Sequence, residues 1–349
     1  PVMGDMMAEG VAVDVWKLRE ADTVLAGELV IRGESLNAQM GNINLNSGAQ
    51  KADVLFGQKC EDNPFGMGLP VIKLTASGSR PSVDGDVLET LAQLYPIAQE
   101  LLEYTHVAKI KSTYTEGILP RIHQNGRLYA YYNQAGGFED RGGSGTGGEA
   151  PRSGRISSSG PNLTNIPKHD PPSGPYISKL IRRCFVAPPG RRLVVGDISQ
   201  EEFRVAAVLS QDPAMLAIIY EGRDWHSETA QQAFGTPTPT AEQRYWGKTA
   251  NFSKLNDAAP STIAATLHLP RSVGQLLSDA FDARYSRFIQ WRRDEAAFLA
   301  EYGYVETYYK RRRYIPGIWS SDVKQRADSV RQGANTEIQG TAADIGKMA

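Results

Sequence analysis

Helical periodicity runs through most of this 349-residue chain, and only three short stretches read as strands, so the architecture is mainly helical. Apolar residues recur at helical spacing from Asp14 to Ile31, and Asn46-Ser47 reads as a cap before a short helix ending at Phe56-Gly57. Val87, Leu88, Leu91 and Leu94 form another stripe, which Pro96 interrupts before a second helix from Ile97 to about Ile110. The strand candidates are Arg127 to Tyr132, Leu193-Val194-Val195 and Tyr304 to Tyr309. The second of these is a buried run leading into a helix that begins near Ser199. Residues 211–300 are mainly helical, Lys310 to Arg313 is a basic turn, and Thr336 onward is a final helix. Eight glycines in the nineteen positions 136–154 make a flexible loop.

The length exceeds what one core fills and predicts two or three domains. With 41% hydrophobic and 22% charged residues, the composition excludes collagen-like, disordered and coiled-coil chains. Two cysteines, Cys60 and Cys184, are too few for a disulfide framework, and a reducing, cytoplasmic compartment is expected. No apolar run reaches the ~18 residues of a membrane span, so no membrane partner is expected. The 38 basic and 39 acidic residues nearly cancel, so a nucleic-acid surface has to come from local segregation of charge.

Four segments carry chemistry. Asp197 follows the apolar run 193–195 and precedes Glu201-Glu202-Phe203-Arg204. A carboxylate at a strand end beside a helix N-terminus can hold Mg²⁺ through one oxygen and leave positions open for phosphates. The same residues also fit a structural arrangement in which Ser199 and Glu202 form an S-x-x-E capping box. In the second segment, steps of four residues drift by about 40°, so Arg244, Lys248, Phe252 and Asn256 share one helix face. Two cations one turn apart repel by a few tenths of a kcal/mol, which a bound triphosphate would reverse. Phe252 offers a stacking surface, although a solvated face with a buried aromatic has the same pattern. Gly247-Lys248-Thr249 fails as a phosphate-binding loop, because Glu242 stands where that loop needs glycine. Gly154 to Pro167 and Arg331 to Asp344 are rich in long or amide side chains, which suit minor-groove acceptors and equally suit polar loops and caps.

In this order the segments resemble DNA polymerase family A, the class of bacterial DNA polymerase I and many phage replicases. Asp197 to Arg204 resembles motif A, D-Y-S-Q-I-E-L-R, and Arg244 to Phe252 resembles motif B, R-x-x-x-K-x-x-N-F. Gly154 to Pro167 is similar to G-R-L-S-S-x-x-P-N-L-Q-N-I-P, and Gln339 to Asp344 to Q-G-T-A-A-D. Leu102 to Tyr104, Lys109 to Tyr114 and Gly222 to His226 extend the likeness.

The resemblance implies an α+β right hand: a helical thumb at 1–126, an antiparallel-sheet palm at 127–210 containing the loop 136–154, helical fingers at 211–300, and palm again at 301–349. It implies a monomeric DNA-directed DNA polymerase, with primer–template DNA and dNTPs as partners and two Mg²⁺ ions. Asp197 and Lys248 become catalytic groups, and Asp197 with the Ile198 carbonyl becomes a metal-ligand pair. Gln200, Glu202, His226, Arg244, Lys248 and Phe252 would surround the nucleotide, Glu202 acting as a gate against a ribose 2′-hydroxyl. Lys109, Ser112, Tyr114, Arg155, Asn162, Asn165, Asn256, Arg331, Asn335 and Gln339 would contact the primer–template.

The chain also departs from the pattern. Motif B normally continues G-x-x-Y-G, but Ser253 to Asp257 follow Phe252 here, and Asn256 takes the tyrosine's place. The residues stop at Ala349, before motif C, H-D-E, so the chain as given is expected to bind primer–template without extending it appreciably. The alternatives are a catalytically incomplete primer–template binding fragment and a relative of single-subunit RNA polymerases. Glu202 at the gate position argues against the second.

Overall fold

Asp14, Ser47 and Asp84 each turn a side-chain oxygen onto the amide three residues on, and with Pro96 they fix where the first helices begin. The computed structural model describes residues 2–75, 77–134, 153–167 and 177–349, so residues 136–152 of the glycine-rich loop lie outside the described residues. Helix α1 (Val2–Glu9) precedes strand β1 (Val11–Ala12), then come α2 (Val15–Met40), α3 (Gly48–Phe56), α4 (Gly85–Ala92) and α5 (Pro96–Ile110). A π-helical turn, Lys111–Glu116, continues α5. Strands β2 (Arg127–Leu128), β3 (Tyr131–Asn133) and β4 (Ser157–Ser159) lead to α6 (Ile177–Arg182). The strand expected at 127–132 is therefore broken at Tyr129-Ala130, because Leu128 pairs back with Val11 of β1 in an antiparallel ribbon.

The chain divides into two units, residues 1–132 with 158–194 and residues 133–157 with 195–349. The first groups the expected thumb with part of the expected palm, and the second holds the expected fingers with the rest. Unit 1 has one cluster around Leu18, Leu25, Val107, Ile110, Leu128 and Ile181, and another around Leu36, Met40, Leu55, Leu88 and Leu101.

Unit 2 contains α7 (Glu201–Ser210), α8 (Pro213–Glu221), α9 (Trp225–Phe234), α10 (Ala241–Leu255), α11 (Pro260–Leu267), α12 (Arg271–Arg284), α13 (Ser286–Tyr302), β5 (Tyr304–Glu306), β6 (Arg312–Tyr314) and α14 (Val323–Met348). Strands β5 and β6 pair antiparallel, Val305 opposite Arg313. The core is aromatic: Phe203 lies 4.0 Å from Trp225, Phe281 4.8 Å from Tyr285, and Phe288 5.7 Å from Trp291 between ring centres. Each buried ring contributes roughly 1.5–3 kcal/mol.

The α+β expectation holds, with three corrections. Leu193-Val194-Val195 is not a strand: these residues are 60%, 93% and 89% exposed, and no strand among the described residues pairs with them. An apolar run without a ladder partner has nothing to satisfy its amides and carbonyls except water. The last helix begins at Val323, capped by Asp322, thirteen residues before Thr336, because the polar first half of α14 hides its start. Ser199 and Glu202 do not form a capping box: the residue before α7 is Gln200, at φ 53°, with no side-chain cap bond.

Glu337 of α14 is 3% exposed. Burial first, then a hydrogen bond and repulsion from Glu295, push its carboxyl up to about 10, against the opposing Arg292 charge. Because the folded value lies above the ordinary 4.5, the folded chain holds an extra proton between those values, and stability falls as pH rises through that window. Glu337→Gln should therefore raise the melting temperature at pH 8 by at least about 2 °C and leave it unchanged at pH 4. Equal melting temperatures at pH 8 would show instead that Glu337 is ionised and paired.

Candidate active site

Thr240 starts α10 with a reciprocal cap: its Oγ1 accepts from the Gln243 amide at 3.1 Å, and its own amide donates to Gln243 Oε1 at 2.9 Å. The helix then presents Arg244 and Lys248 to solvent, with the Phe252 ring 40% exposed. Gly247 beside that face is buried, and a Cβ there would sit 2.5 Å from the His226 carbonyl oxygen, so α9 and α10 meet backbone to backbone. Arg244 Nε donates to Asp224 Oδ2 at 2.6 Å, and Asp224 also accepts from Ser227 Oγ at 2.7 Å. Burial raises the Asp224 carboxyl, but these hydrogen bonds outweigh it and hold the group below its ordinary value. Lys248 has no ion pair or hydrogen bond among the described residues.

His226 is 6% exposed at the start of α9. Burial pushes its imidazole down to about 4, Asp224 raising it and Arg244 with Lys248 lowering it further, so the ring is neutral at pH 7. Trp225 Nε1 approaches His226 Nε2 at 3.1 Å, and Asn251 Nδ2 approaches Nδ1 at 3.2 Å. The Phe252 ring centre lies 5.6 Å from that of His226 and 5.9 Å from that of Trp225. The structure thus brings together four of the expected nucleotide residues, Arg244, Lys248, His226 and Phe252.

Asp197 and Ile198 lie in the exposed segment before α7, and Gln200 takes the left-handed conformation that turns the chain into the helix. Glu202 pairs with Arg155. Glu201 beside it is raised, by burial first and then by the Glu202 charge; Arg155 opposes and Asp197 adds to the rise. Among the described residues, no group of three or more His, Cys, Asp or Glu side chains could hold a metal ion. Asp197 nevertheless fits a hard divalent cation: it is an exposed oxygen donor with no hydrogen-bond or ion-pair partner among the described residues, and the carboxylates after it crowd negative charge there. Mg²⁺ suits such an open ligand, since it keeps waters and takes phosphate oxygens rather than a closed protein cage.

On α14, Arg331, Asn335 and Gln339 recur every four residues on one face. Arg331 pairs with Asp328, Asn335 has a buried Oδ1 with no partner among the described residues, and Gln339 Nε2 donates to Asn256 Oδ1 at 3.3 Å. Asn256 closes α10, its Nδ2 donating to the Phe252 carbonyl at 2.9 Å. In unit 1, Lys109 and Ser112 are exposed where α5 passes into the π-turn. Tyr114 is buried and donates to the Asn165 carbonyl, so its hydroxyl serves the fold rather than solvent. Asn162 is turned onto its own loop, its Oδ1 accepting from Thr164 Oγ1 at 2.8 Å, while the Asn165 side chain is exposed.

The sequence reading missed three residues that shape this site: Asp224 as the partner of Arg244, Asn251 against His226, and Arg292. Arg292 Nη1 donates to the Lys254 and Leu255 carbonyls, both at 2.8 Å, at the end of α10. Asp224 has a local signal, an N-cap aspartate before a helix. Asn251 is the fixed asparagine of the motif B pattern, but nothing local names its partner 25 residues away, and Arg292 has no signal, its partners lying 37 or more residues away.

Comparison with known proteins follows the same lines. The sequence pattern of DNA polymerase family A matches residues 17–349. The thermostable DNA polymerase I of Thermus aquaticus is 34% identical over 357 residues, covering 100% of this chain and 39% of the relative. DNA polymerase I of Chloroflexus aurantiacus is 36% identical over 353 residues, covering 100% of this chain and 35% of the relative. The chain therefore spans a little over a third of the length of these relatives. The solved polymerase domain of Pol1 from M. smegmatis, in complex with DNA primer-template and dNTP, superposes with a TM-score of 0.82 at 27% identity, covering 99% of this chain and 57% of that one. With its motifs in order and the match running over nearly every residue, the chain belongs to DNA polymerase family A.

Proposed function

We propose that this chain forms part of a DNA-directed DNA polymerase that adds deoxynucleotides to a primer 3′-hydroxyl on a DNA template. The observation that carries the reading is the exposed face of α10. Arg244, Lys248, which has no hydrogen-bond or ion-pair partner among the described residues, and the open Phe252 ring lie within one helix, beside His226 and flanked by Asp224. Two cations and an aromatic ring match the triphosphate and the sugar or base of a nucleotide. The Pol1 domain that superposes on this chain was solved with primer-template and dNTP, which supports the same ligands here.

In this reading Arg244 and Lys248 bind the triphosphate, Lys248 neutralises charge as pyrophosphate leaves, and Phe252 orients the nucleoside. Asp197, with the Ile198 carbonyl, holds divalent metal. Held there, a divalent metal would supply Lewis-acid charge to the phosphate and to the attacking hydroxyl. Glu202 lies under the sugar and excludes a 2′-hydroxyl, and Arg155 steers it. Gln200 sets the turn that aims both carboxylates. Arg331, Asn335, Gln339 and Asn256 read the primer–template in the minor groove, Lys109, Ser112 and Asn165 face its backbone, and Tyr114 and Asn162 act on the DNA through the loop they hold in place. The thumb, palm and fingers follow the boundaries 126, 210 and 300, and the protein acts as a cytoplasmic monomer. Primer extension with Mg²⁺ and four dNTPs, on a polypeptide that carries these residues together with a motif C segment, tests the reading; DNA binding without extension by that polypeptide would favour the binding-module alternative.

Asp197→Asn should lower turnover by more than tenfold, over ~1.4 kcal/mol in activation, while primer–template affinity stays within about twofold. Single-turnover incorporation and DNA titration on the same protein check it. Lys248→Ala should raise KM for dNTP far more than Kd for primer–template, and equal losses in both would move Lys248 onto the DNA. Glu202→Ala should raise the ratio of ribonucleotide to deoxyribonucleotide incorporation, and an unchanged ratio would leave Glu202 only its ion pair with Arg155.

A further inference from the structure

Three residues near the end of α14 hold the turn that joins β5 to β6. Thr341 Oγ1 accepts from the Tyr308 amide at 2.9 Å. Asp344 accepts from Thr307 Oγ1 on Oδ2 at 2.7 Å and from Arg311 Nε on Oδ1 at 2.9 Å. Gly340 permits the approach, since a Cβ there would lie 2.8 Å from Thr307 Cγ2 and 2.9 Å from Arg311 Nη2. Thr307 is buried and ties the turn to itself, its Oγ1 accepting from the Arg311 amide at 3.2 Å and its own amide donating to the Arg311 carbonyl at 3.1 Å. Arg311, from the basic run 310–313, is thus fixed through its backbone and through Nε.

A guanidinium is a rigid planar fork, so fixing Nε also aims the outer nitrogens. Arg311 Nη2 donates to the Gly340 carbonyl at 3.1 Å and to the Ser153 carbonyl, 158 residues away in the chain, at 2.9 Å. Gly154 closes over the same nitrogen: its φ is 86°, and a Cβ there would lie 2.6 Å from Nη2. The left-handed backbone and the close approach both require glycine. The next residue is Arg155, whose guanidinium pairs with Glu202. All of these residues belong to the second unit.

We propose that Arg311 is a positioning residue for Arg155: anchored on Asp344, it clamps the Ser153-Gly154 backbone to α14 and so sets the direction from which Arg155 engages Glu202. The proposal rests on the reading of Glu202 as a sugar gate that Arg155 steers, and extends it to groups that touch neither nucleotide nor DNA. Arg311 is 35% exposed and forms part of the wall of a cavity of about 790 Å³, more open than a side chain whose task is to fill a core. Water entering from that cavity can hydrate Asp344 when the arginine is shortened, so the variants below are expected to fold.

The test separates direction from stability. In ¹⁵N-arginine-labelled protein the Arg155 Nε–H signal, assigned by its loss in Arg155→Lys, reports the pair with Glu202 and should shift in Glu202→Ala. Arg311→Ala should move that signal in the same direction. Arg311→Lys should do the same, because one ammonium that pairs with Asp344 cannot also span the two carbonyls, while the melting temperature stays within about 2 °C of wild type. An Arg155 signal that stays in place in both Arg311 variants would overturn the proposal, whatever Glu202 does with sugars. In primer extension by the polypeptide that includes a motif C segment, Arg311→Lys should raise the ratio of ribonucleotide to deoxyribonucleotide incorporation about threefold, the size that a partly exposed ion pair allows. Arg155→Ala should raise it as much and the double variant no further, because both changes remove the same interaction. Effects that multiply in the double variant would show Arg311 acting apart from Arg155 and would also overturn the proposal. If Glu202→Ala leaves the ratio unchanged, the gate reading falls, and the Arg155 signal alone decides whether the clamp exists.

Discussion

The backbone contact between α9 and α10 at Gly247 is the constraint on which the site depends. Any side chain there would place a Cβ 2.5 Å from the His226 carbonyl oxygen, closer than real contacts allow, and 3.2 Å from the Ala230 amide nitrogen, a tight contact. Glycine in a helix interior costs roughly 0.8–1.0 kcal/mol against alanine, and here that cost lets two helices close to backbone distance. Only at that separation does Asp224 reach Arg244, Asn251 reach both His226 and the Trp225 carbonyl, and the Phe252 ring lie edge-on to Trp225. The close approach that glycine permits is what sets the buried, neutral histidine beside the cationic face of α10.

The other end of α10 is held by a different device. A helix leaves its last carbonyls without partners, and those of Lys254 and Leu255 are taken by the buried guanidinium of Arg292 on α13. Arg292 packs over the Phe288 ring at 5.6 Å, and Lys254 reaches Asp282 on α12 at 2.8 Å. Burial lowers the Arg292 pKa, while the Asp257 and Asp282 carboxylates oppose that shift and help a cation 8% exposed to stay charged. From Arg244 to Asn256 the helix rises about 18 Å, and it is tied at both extremes, to Asp224 at one and to Arg292 and Gln339 at the other. Its side chains are therefore presented from a strut fixed at two points.

Local signals carried most of the helical fold. Ser47, Asp84 and Pro96 act within one turn of themselves, so the starts of α3, α4 and α5 are readable from spacing alone. The helix face of Arg244, Lys248 and Phe252 is legible for the same reason, since it requires nothing beyond 3.6 residues per turn. Where the reading failed, the deciding partner lay elsewhere in the chain. Leu193-Val194-Val195 has strand composition, but a strand exists only with a neighbour, and none is present among the described residues. Ser199 and Glu202 have capping-box spacing, yet Glu202 lies 47 residues from Arg155 and pairs with it instead. The same non-locality hid Arg292 and the partner of Asn251, a residue that motif B marks without saying what it holds.

Two ion pairs occupy site residues here, Arg244 with Asp224 and Arg155 with Glu202, and their magnitudes decide what they can do. Arg244 is 48% exposed and Asp224 34%, so their pair contributes roughly 0–1 kcal/mol after solvent screening. A hydrogen bond to a charged group contributes roughly 1.5–3 kcal/mol, and a polyphosphate offers several acceptor oxygens at once. Asp224 is therefore strong enough to orient an exposed guanidinium and too weak to keep it from a polyanion. Lys248, with no partner to leave among the described residues, needs no such exchange. The two cations of the α10 face differ in this respect: Lys248 is open from the start, whereas Arg244 is held in a defined direction until a stronger acceptor replaces Asp224.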